Sequence, residues 1–420
     1  MPPHLPRSMG RLALLLAGLS MFGPFSIDAI FPAFPAMGAS LGASLGADKL
    51  AMQQTISAYL VAYAAMSLLH GPLSDALGRR RVILAGLLVF IAASVGCALA
   101  DDLPTMLVFR ALQGLSAGVG LIVGRAVIRD VLHGDDAQRL MSQVSMIFGI
   151  APAIAPVIGG WILGWGDWHD IFWFLVGFAG LLLAATWAWL PETHAPEHRS
   201  RLAPRGMLRD YLLIFSNRRF QRLAAAGALN FAALFLYIAS APAFVLDLLR
   251  LDERSFAWFF APMIGGMMLG AFTSGRVAGR LAHATQVNIG FACCGLAAAG
   301  NVAYGLLVDV PTVPWAVLPI ALNAFGVAMV FPVLTLAILD MYPRHRGSAS
   351  SLQAFTSLAL NAVVAGLLSP MVSGSTAALA IAAAVFTAAG WLVWRLERYR
   401  VRQLPAGEPV SGMPEPPGHA

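Results

Sequence analysis

The sequence of 420 residues has few charged side chains, and long apolar stretches separate them. Only 11% of its residues are Asp, Glu, Lys or Arg, against roughly 25% in soluble proteins. Hydrophobic residues make up 58% of the chain, which is more apolar surface than a soluble fold can bury. The long apolar stretches therefore predict helices that cross a lipid bilayer, and the composition indicates an all-α membrane protein.

Several kinds of functional site are missing from the sequence. Cys97, Cys293 and Cys294 lie in apolar runs without metal-ligand spacing or His partners, so we expect no metal site. No Gly-x-x-x-x-Gly-Lys-Ser/Thr loop is present, which argues against ATP-driven transport. No His lies deep in a predicted span, since His70 falls at a helix end, and we therefore do not expect an enzyme. The net charge of +6 lies in the connections between spans, which disfavours a nucleic-acid partner.

Apolar runs separated by charged or Pro- and Gly-rich turns predict twelve spans. The polar, Arg-rich segment 191–220 separates the first six spans from the last six, and we expect it to be a cytoplasmic linker. We expect two six-helix bundles, over 1–190 and 221–403, and a disordered cytoplasmic tail over 404–420. The predicted spans are 12–33, 53–71, 82–100, 104–125, 140–164, 169–190, 221–246, 255–275, 288–308, 314–339, 348–370 and 376–395.

The basic residues predict which side of the membrane each connection faces. Lys and Arg accumulate in the cytoplasmic connections of membrane proteins. All but four of the 27 Lys and Arg fall in the terminal segments or in every second connection. This pattern predicts a multi-pass protein of the bacterial inner (plasma) membrane with both termini in the cytoplasm and an uncleaved first span. The four exceptions are Lys49, Arg110, Arg250 and Arg254.

Asp28 and Arg110 are the charged residues predicted to lie well inside spans. A charge within a bilayer is costly and is by default a hypothesis of function. Asp28 lies about 8 Å and Arg110 about 9 Å from the outer ends of their spans, at 1.5 Å per residue. At this shared depth they can pair directly or through substrate and water, and a carboxylate that is alternately wet and dry changes its pKa as proton coupling requires. The alternative is a structural ion pair that fixes helix packing.

The stretch Gly71–Arg81 lies between two predicted spans and combines turn formers with three consecutive Arg residues. It therefore predicts a tight cytoplasmic loop. Asp75 can accept hydrogen bonds from Arg and from amides at a helix amino end, which would latch two helices until the cytoplasmic side opens. The alternative is a positive cluster that only orients the chain. The predicted gating residues are Gly71, Asp75, Gly78, Arg79 and Arg80.

Two further groups of residues are candidates for the transport pathway. Small and helix-bending residues along the fifth span predict a kink and close helix contact, although ordinary packing is the alternative. These residues are Gly149, Ala155, Pro156, Gly159 and Gly160. Polar and aromatic side chains inside spans are weaker candidates for lining a substrate cavity, namely Tyr59, Tyr63, Met66, Gln113, Asn230, Tyr237, Asn323 and Asn361.

These motifs resemble the major facilitator superfamily of secondary transporters, and within it the drug:proton antiporters of the bicyclomycin and chloramphenicol resistance (Bcr/CflA) type. The loop matches the family pattern Gly-x-x-x-Asp-x-x-Gly-Arg-Arg, and Arg110-Ala-Leu-Gln113-Gly114 is similar to a motif that the family uses in proton coupling. The fifth span is similar to the Gly-x-x-x-Ala-Pro-x-x-Gly-Gly signature of drug antiporters. Other matching stretches are Asp28–Pro35, Gln53–Thr55, Ala126–Asp130, Trp168 with Phe172, Pro191–Thr193 and Arg346–Ser350.

The resemblance implies a major facilitator fold, in which the substrate site lies between two bundles near the bilayer midplane. It implies export of drugs or small amphipathic molecules by proton antiport through alternating access. The expected partners are a small-molecule substrate, protons and the lipid bilayer, with a monomeric chain and no cofactor beyond the proton gradient. A proton-coupled exporter or importer of one specific metabolite is the alternative. A membrane-embedded enzyme or a channel is disfavoured.

Overall fold

The structure, a computed structural model, describes residues 7–41, 48–132, 134–194, 197, 199, 204–342 and 345–403. Every regular element among these residues is helical. Eleven helical segments in this part of the chain are long and apolar enough to cross a membrane. A shorter apolar helix, Ile150–Leu163, lies at the predicted fifth span. The predicted all-α membrane fold is therefore confirmed, and the predicted tail 404–420 lies outside the described residues.

The first half of the chain forms six segments that match the first six predicted spans. The first segment consists of two α-helices with a short 3₁₀ helix between them, and the fourth is divided into two α-helices, because Pro or Gly residues interrupt the regular hydrogen bonding. The elements are α1 (Arg7–Asp28), a short 3₁₀ helix (Phe31–Ala33), α2 (Phe34–Ser40), α3 (Asp48–Leu77), α4 (Arg79–Ala98), α5 (Leu103–Ala117), α6 (Val119–Val131), α7 (Gly134–Leu163) and α8 (Trp168–Trp189).

The second half repeats this organisation after a helix that occupies the predicted linker. Two of its spans contain a stretch of π-helix, a wider helix that is rare in proteins and common at functional sites. The elements are α9 (Pro204–Ser216), α10 (Arg218–Ala239), a π-helix (Ala243–Leu248), α11 (Ala257–Val277), α12 (His283–Leu307), α13 (Leu318–Met341), α14 (Arg346–Val363), a second π-helix (Val364–Leu368), α15 (Ser369–Val372) and α16 (Thr376–Gln403).

The first span is broken immediately after Asp28. The chain turns at Ala29 and Ile30 before the 3₁₀ helix and α2 continue the span. Pro32 has no N–H group for the carbonyl oxygen of Asp28, and Pro35 has none for that of Phe31, so a regular α-helix cannot run through this stretch. Asp28 therefore ends α1 inside the span, at a discontinuity in the backbone.

The predicted loop Gly71–Arg81 is wrong in its conformation. Helix α3 continues through Leu77, with Pro72 inside it, and α4 begins at Arg79. Gly78 makes the whole connection, at a φ of 101° that favours glycine. His70, which we expected at a helix end, consequently lies inside α3 and is buried.

The two halves meet along α3 and α14 and between α7 and α11. We call the end of the bundle that holds Arg79 the basic end, and the opposite end, which holds Gln53, the far end. At the far end the Gln53 amide donates to the Ser369 hydroxyl at 2.8 Å, and the Ser57 hydroxyl donates to the carbonyl of Ala362 at 2.9 Å. The hydrophobic core at this end is continuous between the halves, since Phe31 stacks on Phe260 with ring centroids 6.3 Å apart.

Candidate functional site

Three glycines bring four spans of the first half into close contact around Asp28 and Arg110. A side chain at Gly114 would overlap the backbone of Tyr59, one at Gly120 would overlap the backbone of Leu19, and one at Gly159 would overlap the backbone of Ala29. Only glycine permits helices to approach this closely. These contacts join α5 to α3, α6 to α1, and α7 to the break after α1, so they fix the geometry of the site.

Arg110 is completely buried, at 0% exposure. Its Nη1 atom donates to the carbonyl oxygen of Ser26 at 3.0 Å and to Oε1 of Gln113 at 2.7 Å. Its guanidinium also lies over the ring of Tyr59, 4.7 Å from the ring centroid, which is a favourable cation–π position. The Nε and Nη2 atoms are buried and have no hydrogen-bond partner among the described residues. Arg110 is therefore held rigidly by neutral groups and retains donors for a further acceptor.

Asp28 is also buried, at 4% exposure. Within the part of the chain that the structure describes, no side chain forms an ion pair or hydrogen bond with its carboxyl group. The direct pair of Asp28 with Arg110 that the sequence allows is thus not formed in this structure. Tyr59 lies beside Arg110 and contacts Ser26, two residues before Asp28.

Tyr59 links the first and second spans beside Arg110. Its hydroxyl lies 2.6 Å from the hydroxyl of Ser26 and donates to the carbonyl of Gly23 at 3.2 Å. Tyr63 packs edge-on against Tyr59, with ring centroids 6.4 Å apart. The two predicted cavity tyrosines are therefore part of the surroundings of Arg110.

The other predicted cavity residues are placed less closely together. Gln113 is buried and used as a partner, since its amide donates to the hydroxyl of Ser94 at 2.8 Å while its oxygen accepts from Arg110. Met66 is partly exposed. In the second half Tyr237 is buried against Phe244. Three buried carboxamide oxygens have no hydrogen-bond partner among the described residues; they belong to Asn230, Asn323 and Asn361.

The predicted motif of the fifth span lies where α7 passes between the two halves. Gly159 faces the break after α1, and Gly160 approaches the carbonyl of Glu253 in the second half. Ala155 and Pro156 are buried one turn before Gly159 and Gly160. Gly149 lies still earlier in the same helix. The close backbone approach that the sequence predicts is present at Gly159 and Gly160.

Residues of the predicted gating stretch form an ion-pair network at the basic end. Arg79 pairs with Asp75 in the preceding turn, and its Nε donates to Asp130 at the end of α6 at 3.1 Å. Its Nη1 also donates to Ser74 at 2.6 Å. The carboxylate of Glu192 accepts from the backbone N–H of Arg79 at 2.8 Å, where an anion is favourable because it caps the amino end of α4. The network joins the ends of four spans of the first half.

Sequence reasoning assigned no contact to four residues, Asp130, Glu192, Thr193 and Ser26. Asp130 and Glu192 lie in stretches that carry the family resemblance. Each is an acidic residue in an Arg-rich part of the sequence, and this could have indicated that it forms an ion pair. Thr193 adds a hydrogen bond to Asp130 at 3.1 Å. Ser26 gave no signal, because a lone serine in an apolar span does not indicate that its carbonyl accepts from Arg110 and its hydroxyl contacts Tyr59.

Gly71 and Arg80 are predicted gating residues with smaller roles in the network. Gly71 lies in α3, and its carbonyl accepts from the Ser74 hydroxyl at 2.8 Å. Arg80 donates to the carbonyl of Trp187 at the end of α8, at 2.7 Å. Both contacts stay within the first half.

The chain is similar to known transporters over nearly its full length. A family model described as Major Facilitator Superfamily matches residues 13–364. An uncharacterized MFS-type transporter of Bacillus subtilis, YdgK, is 30% identical over 92% of this chain and 95% of its own length. A bicyclomycin resistance protein homolog of Haemophilus influenzae is 26% identical over 85% of this chain and 88% of its own length.

The fold is also similar to that of solved transporter structures. A crystal structure of a D-xylose-proton symporter superposes with a TM-score of 0.71, covering 91% of this chain and 97% of that one at 14% sequence identity. At this identity the likeness shows the fold alone. From the family match and the architecture together, the chain belongs to the major facilitator superfamily of membrane transporters.

Proposed function

We propose that this transporter exports drugs or other small amphipathic molecules across the bacterial inner membrane in exchange for protons, by alternating access. The observation that carries the proposal is a buried, unpaired Asp28 at the break in the first span, next to the Gly159 contact of the antiporter-like motif. The bicyclomycin resistance protein homolog among its relatives supports a drug as substrate.

The basic end is proposed to face the cytoplasm. Arg79, Arg129, Arg205 and Arg276 lie in or next to its connections, in agreement with the positive-inside rule. The far end then faces outward, where hydrogen bonds from Gln53 and Ser57 join the halves. These contacts support assigning this structure to a state that is closed to the outside.

Asp28 is proposed to carry the exchanged proton. A buried carboxylate without a partner is strongly unfavourable, and the carboxyl end of a helix adds a partial negative charge at the same place. In this closed state the carboxyl group therefore holds a proton. When the site opens, or when a substrate donor reaches it, the ionised form becomes favourable and the proton leaves. Substrate and proton thus compete for one group, which is what antiport requires.

Arg110 is proposed to position and stabilise this site rather than to exchange a proton. Its bond to the Ser26 carbonyl ties α5 to α1 two residues before Asp28, and its bond to Gln113, within α5, orients the guanidinium. Its Nη2 and Nε atoms, which have no partner among the described residues, can donate to the Asp28 carboxylate, directly or through water, once that group loses its proton. Such a contact would exist only in the ionised state and would help to change the shape of the first half.

The Arg79 network is proposed to hold the cytoplasmic ends of the first half together as one body during this change. Asp75 is the exposed member, with 43% of its side chain accessible. It is therefore free to exchange its partner when the second half approaches in the outward-facing state. In the structure its ion pair is with Arg79.

A transport assay tests the proposal. Inverted membrane vesicles containing the protein are energised to an acid interior, and a pH-reporting dye records proton release as candidate drugs are added in turn. We expect proton release with at least one drug from vesicles with the protein and none from vesicles without it. The outcome that contradicts the drug assignment is that none of the drugs causes proton release from folded, inserted protein, whereas a single metabolite does. The chain would then be a specific metabolite carrier.

A further inference from the structure

Helix α9 connects the two halves along the chain and is too short to span a membrane. Its 13 residues extend about 20 Å at 1.5 Å per residue, against about 30 Å of hydrocarbon. It nevertheless exposes large apolar side chains: Leu208 is 59% exposed, and Leu212 and Leu213 are each 57% exposed. A short helix with such a surface at the basic end has the character of an amphipathic helix in the plane of the membrane.

The inner face of α9 is fastened to both halves of the transporter. The Tyr211 hydroxyl donates to the carbonyl of Leu68 in α3 at 2.7 Å, and burial raises the pKa of this phenol, so it stays a donor. Asp210 lies 3.3 Å from the imidazole of His345, just before α14. Ile214 is buried in the core of the second half. These contacts fix which face of α9 points outward.

The outer face of α9 combines two cations with apolar side chains. Arg205 and Arg209 are one turn apart and exposed, and Leu208, Leu212 and Leu213 follow on the same face at helical spacing. Together with Ser216 they line a groove of about 380 Å³. The acid of this helix, Asp210, is on the inner face and occupied by His345. The groove therefore offers positive charge at one end and apolar contact along the rest.

We propose that this outer face is a binding site for an anionic phospholipid of the surrounding leaflet. Arg205 and Arg209 would hold the phosphate and its headgroup, while Leu212 and Leu213 contact the acyl chains. The two arginines match the anionic headgroup and the leucines match the acyl chains, and along the helix they follow in the same order as these two parts of the lipid. Because the inner face of α9 contacts α3 and the segment before α14, an occupied site ties the lipid to the two elements along which the halves meet.

Native mass spectrometry of the full-length purified protein tests the site without any transported substrate. Phosphatidylglycerol is titrated against phosphatidylcholine of the same chain lengths. We expect phosphatidylglycerol to bind the wild type more tightly, and the variant R205Q/R209Q to lose about 10- to 30-fold in this preference, at about 1 kcal/mol per basic residue. The variant R276Q/R280Q removes the same charge after α11 and should leave the preference unchanged.

Three outcomes would overturn the proposal. Equal losses in the two double variants would show a general charge effect rather than a site on α9. Equal binding of the two lipids by the wild type would show that the groove does not select an anion. Displacement of phosphatidylglycerol by soluble glycerol phosphate would assign the groove to a free phosphate. The variant R205K/R209K, which keeps the charge, should retain the preference and so separates charge from any folding defect. A failure here leaves the proposed transport function untouched, because lipid binding and drug-driven proton release are measured separately.

Discussion

In the first half of the molecule the buried interior contains Asp28 and Arg110, whereas in the second half it contains the carboxamides of Asn230, Asn323 and Asn361. The backbone packing of the two halves is comparable. Gly159 approaches the carbonyl of Ala29 in the first half, as Gly266 in α11 approaches that of Ala321 in the second. The halves therefore differ in polar chemistry and not in how tightly their helices pack.

The same difference appears at the basic end. The first half joins four spans there through Arg79, Asp75, Asp130 and Glu192. The second half has Glu397 of α16, which accepts from Arg222 at 2.6 Å and lies 3.1 Å from Arg219, both in α10. This pairing neutralises its buried acid with two fixed cations. We infer that proton coupling belongs to the first half and that the second half contributes the shape of the substrate pathway.

The substitution Arg110→Lys should have the largest effect on this comparison. A lysine ammonium cannot keep the bonds to Ser26 and Gln113 while stacking on Tyr59, because it lacks the planar fork of a guanidinium. Charge-assisted bonds of this kind contribute about 1.5–3 kcal/mol each, so we expect about a 100-fold lower transport rate in vesicles. Arg276→Lys changes an exposed arginine in the last turn of α11 and should retain wild-type transport. Equal activity of the two variants would refute the special role of Arg110.

The pair Gly159→Ala and Gly266→Ala separates packing from coupling. Both add a methyl group against a backbone carbonyl, and overpacking of this kind costs about 1–3 kcal/mol. We expect both variants to have a lower Tm by similar amounts, while only Gly159→Ala reduces the number of protons released per drug molecule. Gly177→Ala has open space around it and should match the wild type in both measurements. A normal proton count in Gly159→Ala would disconnect the motif of the fifth span from Asp28.

The substitution Arg79→Ala should lower transport by about 10-fold. It removes ion pairs to Asp75 and Asp130, and a buried network of this kind loses a few kcal/mol when its centre is deleted. Arg276, in the last turn of α11 in the second half, is exposed and lies over the ring of Phe272. Arg276→Ala should therefore remain within about twofold of the wild type, as is usual for an exposed charge. Similar losses from both substitutions would show that the two ends are functionally equivalent.

Asn361→Ala should have the smallest effect. Its buried amide oxygen has no partner among the described residues, so its removal leaves no neighbour unsatisfied. We expect an approximately threefold weaker apparent affinity for a transported drug, from the loss of about one hydrogen bond. The number of protons released per drug molecule should not change. A changed proton count would place coupling in the second half as well.

Much of the fold follows from the sequence. Bilayer thickness sets the length of each span, and the placement of the arginines predicts which connections face the same side of the membrane. The buried depth of Asp28 and Arg110 was predictable for the same reason. The helical conformation of Gly71–Leu77 was not, since glycine, proline and aspartate signal a turn locally and only packing at the end of α3 overrides that signal. The ion pairs of Arg79 depend on acids far away in the chain, and local spacing carries no information about them.

The partners of Arg110 show a second limit of sequence reasoning. Its contact with Ser26 uses a backbone carbonyl, and its stacking on Tyr59 depends on how α3 and α5 are rotated about their axes. That rotation is set by Gly114 against the Tyr59 backbone, a contact between spans that helical periodicity alone does not reveal.

The most direct test of the central claim counts the protons released when purified protein binds a drug identified in the vesicle assay. A weakly buffered solution with a pH-reporting dye records the release in the wild type, in Asp28→Asn and in Asn361→Ala. If substrate and proton compete for one carboxyl group, as proposed, linkage predicts roughly one proton per bound molecule for the wild type and for Asn361→Ala, and none for Asp28→Asn. Undiminished release from folded, drug-binding Asp28→Asn would contradict the account and place the exchanged proton elsewhere.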